Sequence, residues 1–525
     1  MAMIKNPILP GFNPDPCILR VGEDYYVATS TFEWAPGVQI HHSRDLVNWR
    51  LLCHPLTRDS QLPMAGNPDS GGIWAPCLTH DGRKFHLIYT NVRSLHGIFK
   101  DTHNYLVTAE NVEGPWSEPV YLNSSGFDPS LFHDDDGRKW LVNMLWDFRP
   151  GKNRFAGILL QEYSEREHRL VGPIRNIFKG TKLGITEGPH LYKWRGMYYL
   201  LVAEGGTSWA HAVTIARSKN IDGPYEVHPQ NPILTSLNTD ATLQKAGHGS
   251  ICDTTSGEWY MVHLCARPLM PEKRCTLGRE TGIQKLVWGE DGWPRLAGSG
   301  NLPRVEVEGP SLVEHRCEKL PARDDFEGKK LRAEYVTLRE HAHESFVSLK
   351  SRLGWLRLVG RESISSRHNQ TLLARRVQAF KTQTTTKVEF SPEDFQQMAG
   401  LTAFYDVNNF YYLVISRDEN AGRCVRILAA NAGKHTWPMG EEVIALPASG
   451  AVYLRAAIDH RTLQFSWSRD GETFEPVGPV LDASLLSDET TGSWAFTGTM
   501  VGVCCQDVSG RRAHADFDWL EYQEG

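Results

Sequence analysis

Five copies of one pattern fill the first 300 residues of this 525-residue chain, and no other feature of the sequence restricts its fold as strongly. Each copy opens on a small or acidic residue, usually followed by proline, and continues through a short apolar stretch, a glycine-containing turn and an aromatic-rich strand. The openings are Asp15-Pro16-Cys17, Ala75-Pro76-Cys77, Asp128-Pro129-Ser130, Gly188-Pro189-His190 and Gly247-His248-Gly249, spaced about 53–60 residues apart. A second signature, Ser43-Arg44-Asp45-Leu46 with Trp49, Gly114-Pro115-Trp116 or Gly223-Pro224-Tyr225, follows later within several units. Such a unit holds about four short strands joined by tight turns, the content of one propeller blade. The chain is therefore expected to be all-β, with a five-bladed β-propeller over residues 1–305. Radial repetition brings equivalent positions of successive blades to one axis.

The repeat stops near residues 306–323, where Pro310 and Pro321 interrupt a charged linker. Beyond it, alternating strands such as Gly354–Val359 and Phe410–Ile415 lack the repeat and predict a C-terminal β-sandwich over residues 324–525, a concanavalin A or lectin-like jelly roll. Asp324-Asp325-Phe326 and Asp516-Phe517-Asp518 are expected to lie side by side as its first and last strands. Ser468–Phe474 reads as a hairpin around an Asp-Gly turn.

Bulk properties narrow the function. A formal charge of −6 and the lack of a basic tract argue against nucleic acid or an anionic membrane as partner. No apolar run approaches the roughly 18 residues of a membrane span. The N-terminus turns polar at once, and the ten cysteines show no C-x-x-C pair or disulfide framework, so a cytoplasmic protein with free thiols is expected. The 16 Trp, 17 Tyr and 20 Phe serve either as β-sheet core or as stacking surface for flat ligands such as sugars.

Three units carry an acid at or beside the leading position: Asp15, Asp128 and Glu187, which stands one residue early. An Asp before Pro often only caps a strand. Three acids from three blades aimed at one axis call for a function, because clustered like charges are costly. Trp74, Phe127 and Phe32 flank them, and Arg279 lies where the ring closes. One protonated and one ionised carboxyl beside aromatic walls suits glycoside hydrolysis.

With Asn6–Pro16, Gly71–Pro76, Ser125–Ser130, Ile185–His190, Lys245–Ser250 and Gly278–Thr281 in place, the whole chain resembles glycoside hydrolase family 43, in particular its two-domain β-xylosidases. The resemblance implies Asp15 as general base, Glu187 as general acid and Asp128 as the carboxylate that orients Glu187 and raises its pKa. It implies Phe32, Trp74 and Phe127 as walls of the sugar subsite and His248 and Arg279 as polar contacts. It further implies inversion, with Asp15 and Glu187 roughly 6.5–9.5 Å apart, and exo-action on short β-1,4-xylo-oligosaccharides, the sandwich closing the pocket, with secondary α-L-arabinofuranosidase activity. Met500 stands where an aromatic side chain is expected. No cofactor is required, although some relatives hold calcium near the equivalent of His248. His41-His42 and His341-Ala342-His343 lack zinc-site spacing. Similar enzymes are often dimers or tetramers, so a homo-oligomer is expected. The alternatives are a dedicated α-L-arabinofuranosidase and a non-catalytic sugar-binding propeller.

Overall fold

The computed structural model describes residues 2–298, 300–492 and 494–525. It is nearly all β and divides into two units. The first comprises Met1–Phe32, Gly37–Arg267 and Arg279–Cys317, the second Glu33–Pro36, Pro268–Gly278 and Glu318–Gly525. Two short pieces of the repeat-bearing region thus group with the C-terminal unit, which a single linear boundary did not anticipate.

The first unit is a propeller of five antiparallel sheets. Their innermost strands are Cys17–Val21, Gly72–His80, Ser130–His133, Glu187–Trp194 and Gln244–Asp253, and each contacts the next in a closed cycle. The second strands, such as Asp24–Thr29, Phe85–Ser94 and Met197–Glu204, are almost wholly buried because both faces of a blade pack against neighbouring blades. The recurring aromatics are largely this filling. Trp194, Trp259 and Trp288 meet at centroid distances of 5.0–5.9 Å, with Tyr199 and Trp293 beside them. The closing signature has a mechanical role: Trp49, Trp116 and Tyr225 each donate a hydrogen bond back to a turn carbonyl, those of Leu46, Val112 and Ile221.

The ring closes without a covalent link. Met3–Lys5 pairs with Glu306–Glu308, Leu9 bridges Thr281, and the Asn6 amide both donates to Ile283 O and accepts from Ile283 N.

The repeat's leading position has one backbone conformation in all five blades. Asp15, Ala75, Asp128, Gly188 and His248 have φ of 54°, 32°, 54°, 56° and 48°. The left-handed region costs a non-glycine residue roughly 1–2 kcal/mol, and a kink of this kind re-aims a side chain at the head of a strand. In the fifth blade the equivalent residue is His248 rather than Gly247, a one-residue correction: with the proline replaced by Gly249, the sequence offered no marker for the register.

The second unit is a sandwich of two antiparallel sheets. One runs from Val347–Ser348 through Leu356–Val359, His514–Glu524, Lys381–Glu389, Val452–Asp459 and Thr462–Ser468 to Glu475–Asp482. The other contains Gly422–Asn431, Asn409–Asp418, Gln397–Asp406, Met500–Asp507, Leu372–Arg376 and Val336–Leu338, with Trp34–Ala35 at its edge. Leu401, Leu413, Val503, Leu454, Phe465 and Phe517 lie in the shared core. Arg323–Asp324 pairs with Leu520 and Glu521, bringing the first strand after the linker beside the chain's last strand. Asp470 accepts from the Glu472 and Thr473 amides in the expected hairpin turn. Met500 is fully buried, opposite Phe404 and Arg376.

Candidate active site

Asp15, Asp128 and Glu187 come together at the heads of three inner strands, and all three are buried. Asp15 is met by donors. Ser30 Oγ donates to its Oδ2 at 2.7 Å, and Arg279 Nη1 stands 3.5 Å from its Oδ1. Ser30 in turn accepts from the Ala75 amide at 2.8 Å, tying the first blade to the second. Arg279 is held by a 2.7 Å hydrogen bond to Thr207 Oγ1 and lies over the Phe32 ring at 5.4 Å. The arginine is therefore both an ion-pair partner and a lid on an aromatic face.

The other two carboxyls have the opposite environment. Asp128 Oδ2 accepts from the Gly188 amide at 3.0 Å, so it grips the backbone immediately after Glu187. Burial, followed by the charge of Asp15, pushes Asp128 up to about 8. Burial, followed by the charges of Asp128 and Asp15, holds Glu187 well above the usual carboxyl range. Low-dielectric surroundings and like charges both favour the neutral acid, so this pair retains a proton at neutral pH.

Aromatic rings span the first three blades. Phe32 meets Trp74 edge-on at 6.3 Å, and Trp74 meets Phe127 at 5.2 Å. Phe12 extends the row at one end, 5.7 Å from Phe32, and Trp146 and Phe155 support Phe127 at 6.3 and 6.1 Å. Trp74 is fixed by donating Nε1–H to Ser70 O at 2.8 Å.

On the remaining side, His248 packs its ring against Gly188, where an added Cβ would lie 3.0 Å from it. Burial lowers the His248 pKa, which favours a neutral imidazole. Behind it His211, unremarked in the sequence, donates its Nδ1–H to Lys245 O at 3.0 Å and covers Gly247 so closely that a Cβ there would sit 2.3 Å from its ring. Small residues at 188 and 247 are thus required by two histidine rings.

Two further buried acids were also missed. Glu204 accepts from Thr181 N, Thr181 Oγ1, Thr186 Oγ1 and Thr214 Oγ1 at 2.6–2.9 Å, which pins the segment leading into Glu187. Glu280 accepts from the Gly11 amide and from Arg267, which fixes the segment leading into Asp15. A polar residue ending an otherwise apolar strand is the signal that could have marked Ser30 and Glu204.

Calcium takes 6–8 oxygen ligands. Among the described residues His248 belongs to neither of the two groups of three His, Cys, Asp or Glu side chains whose ligand atoms lie within 4.8 Å of one another. His42 instead pairs with Asp24 at 2.8 Å.

Known proteins share this architecture throughout. Residues 4–294 match glycosyl hydrolases family 43, and residues 323–523 match a beta xylosidase C-terminal concanavalin A-like domain. A xylosidase/arabinosidase 43B of Humicola insolens is 53% identical over 100% of this chain and 98% of its own. A beta-xylosidase of Bacillus subtilis is 48% identical over 99% of each chain. The crystal structure of a xylan beta-1,4-xylosidase from Bacillus halodurans C-125 superposes with a TM-score of 0.98 at 56% identity, covering 99% of this chain and 100% of that one. The chain belongs to glycosyl hydrolases family 43.

Proposed function

We propose that this glycoside hydrolase is an inverting, exo-acting β-xylosidase that releases terminal β-D-xylose from the non-reducing end of short β-1,4-xylo-oligosaccharides, with α-L-arabinofuranosidase activity as a secondary reaction. The observation that carries the reading is the contrast between its carboxyls: Asp15 faces a hydroxyl and a guanidinium, while Glu187 shares a buried, negatively charged surround with Asp128. Carboxyls with opposed environments divide into base and acid. In this mechanism Asp15 takes a proton from the attacking water. Glu187 gives its proton to the departing glycosidic oxygen, and Asp128 keeps Glu187 oriented and protonated. Phe32, Trp74 and Phe127 bind the sugar faces, and His248 and Arg279 bind hydroxyls. Carboxyl groups make every proton transfer in this mechanism, and it requires no cofactor.

The names of the Humicola insolens, Bacillus subtilis and Bacillus halodurans relatives support a xyloside substrate, and the first supports the arabinoside as well. We also propose a cytoplasmic homo-oligomer, a dimer or tetramer. The ten free cysteines are compatible with a reducing compartment, and among the described residues no helix is long and apolar enough to cross a membrane.

The test is to follow the anomer first released from xylobiose by NMR. An inverting enzyme yields α-xylose, and β-xylose as the first product overturns the assignment. Rates on aryl β-xyloside and aryl α-arabinofuranoside, measured side by side, establish which activity dominates.

A further inference from the structure

Two residues beyond each blade's leading position lies a second ring of side chains: Cys17, Cys77, Ser130, His190 and Ser250. All are buried. The repeat that gathers the carboxyls at one level must gather these at the next, and three of the five are metal-ligand types. Cys17 Sγ lies 3.8 Å from Cys77 Sγ, and both sulfurs and a His190 ring nitrogen lie within 4.8 Å of one another. Two thiolates bound to one tetrahedral zinc at about 2.3 Å each are separated by about 3.8 Å, so the sulfurs already have the spacing of a ligand pair.

We propose that Cys17, Cys77 and His190 form a binding site for a thiophilic d10 cation, zinc(II) being the type, on the axis of the propeller beneath the carboxyl cluster. The donor set selects for this class, because two sulfurs and an imidazole suit zinc and disfavour calcium or magnesium. Charge is balanced on binding: two thiols release two protons, and the resulting thiolates neutralise the dication, so the buried complex carries no net charge. The buried His190 imidazole offers a ring nitrogen to the ion beside the two sulfurs. Cys17 and Cys77 are each 3% exposed and His190 8%, so the site is sequestered from solvent. The Ser250 hydroxyl, which already contacts the Ile18 amide and Tyr192 Oη, or a water is available as fourth ligand.

The ligands come from the first, second and fourth blades, so a bound ion joins three blades. Cys17 follows Asp15 by two residues and His190 follows Glu187 by three. The ion would brace the floor of the carboxyl cluster without touching substrate. This inference stands apart from the proposed reaction and is tested without an activity assay.

The experiment is to produce the full-length protein in medium supplemented with zinc(II) or cobalt(II), and to measure metal content, X-ray absorption and electronic spectra. The expected result is about one ion per chain, with two sulfur neighbours at about 2.3 Å in the zinc protein and a thiolate-to-metal charge-transfer band with tetrahedral ligand-field bands in the cobalt protein. Cys17→Ser and Cys77→Ser should each abolish the charge-transfer band, whereas Asp81→Asn, at the separate Asp81, His86 and Glu165 cluster, should leave it intact. Metal-free protein, metal with only nitrogen and oxygen neighbours, a Cys17–Cys77 disulfide in place of the ion, or a band that survives both cysteine substitutions overturns the proposal. The wild-type absorption spectrum decides the matter even if a variant fails to fold.

Discussion

Ser30 and Asp15 are joined by a 2.7 Å hydrogen bond whose donor hydroxyl is itself fixed by the Ala75 amide of the next blade. The proposed base is thereby oriented by contacts from two blades. A hydrogen bond to a charged group contributes about 1.5–3 kcal/mol, or roughly 10–100-fold in rate when it is needed for orientation. Ser30→Ala should lower kcat by about that factor with little change in KM, and Ser30→Thr, which keeps the hydroxyl, should recover most of the loss. Steady-state kinetics on aryl β-xyloside checks this, and a rise in KM with unchanged kcat contradicts it.

Glu187→Ala should remove proton donation. For xylobiose, whose leaving group is poor, the loss in kcat should reach about 10²–10⁴-fold. Aryl xylosides with acidic phenols should lose far less. Equal losses across a leaving-group series contradict an acid role.

Asp128 gives a pH signature in stability. An unfolded aspartate titrates near 3.9 and the folded one near 8, so between about pH 4 and 8 the folded state binds more protons and stability falls as pH rises. Asp128→Asn removes this penalty. Its melting temperature should exceed the wild type's by several degrees at pH 8 and by little near pH 4, at the expense of activity. Calorimetry at several pH values is the measurement, and a constant offset contradicts the buried, raised carboxyl.

Glu204→Gln should act through the backbone. Four donors converge on Glu204, and a glutamine replaces one acceptor oxygen by a donor facing them. A loss of about 2–4 kcal/mol is expected, read as a lower denaturant midpoint, with kcat reduced because the segment leading into Glu187 loosens.

The repeat was legible because strand alternation and turn residues are local properties, and Pro16, Pro76, Pro129 and Pro189 mark one backbone position. That alone located Asp15, Asp128 and, one residue early, Glu187. Where the proline is absent, the register slipped by one and Gly247 took the place of His248. Ser30 and Glu204 escaped notice, and Glu280 stood only as part of Gly278–Thr281, because each is an isolated buried polar residue with no periodic neighbour to announce its role. Phe12, Trp146 and Phe155 could not be separated from blade core by composition, since core and wall use the same rings. The assignment of Glu33–Pro36 and Pro268–Gly278 to the second unit depends on pairings such as Trp34 with Leu338 and on the Thr276 carbonyl accepting from Thr499. Such distant contacts leave no mark in a short stretch.

The pairing of Met3–Lys5 with Glu306–Glu308 also sets a schedule. The first of these stretches leaves the ribosome about 300 residues ahead of its partner, so at about 5–20 residues per second it waits on the order of 15–60 s. During that interval Ile4 and Leu9, which end buried, have nothing from the fifth blade to pack on. Newborn chains are exposed at this seam longest, and a chaperone that shields the leading apolar residues has its window there.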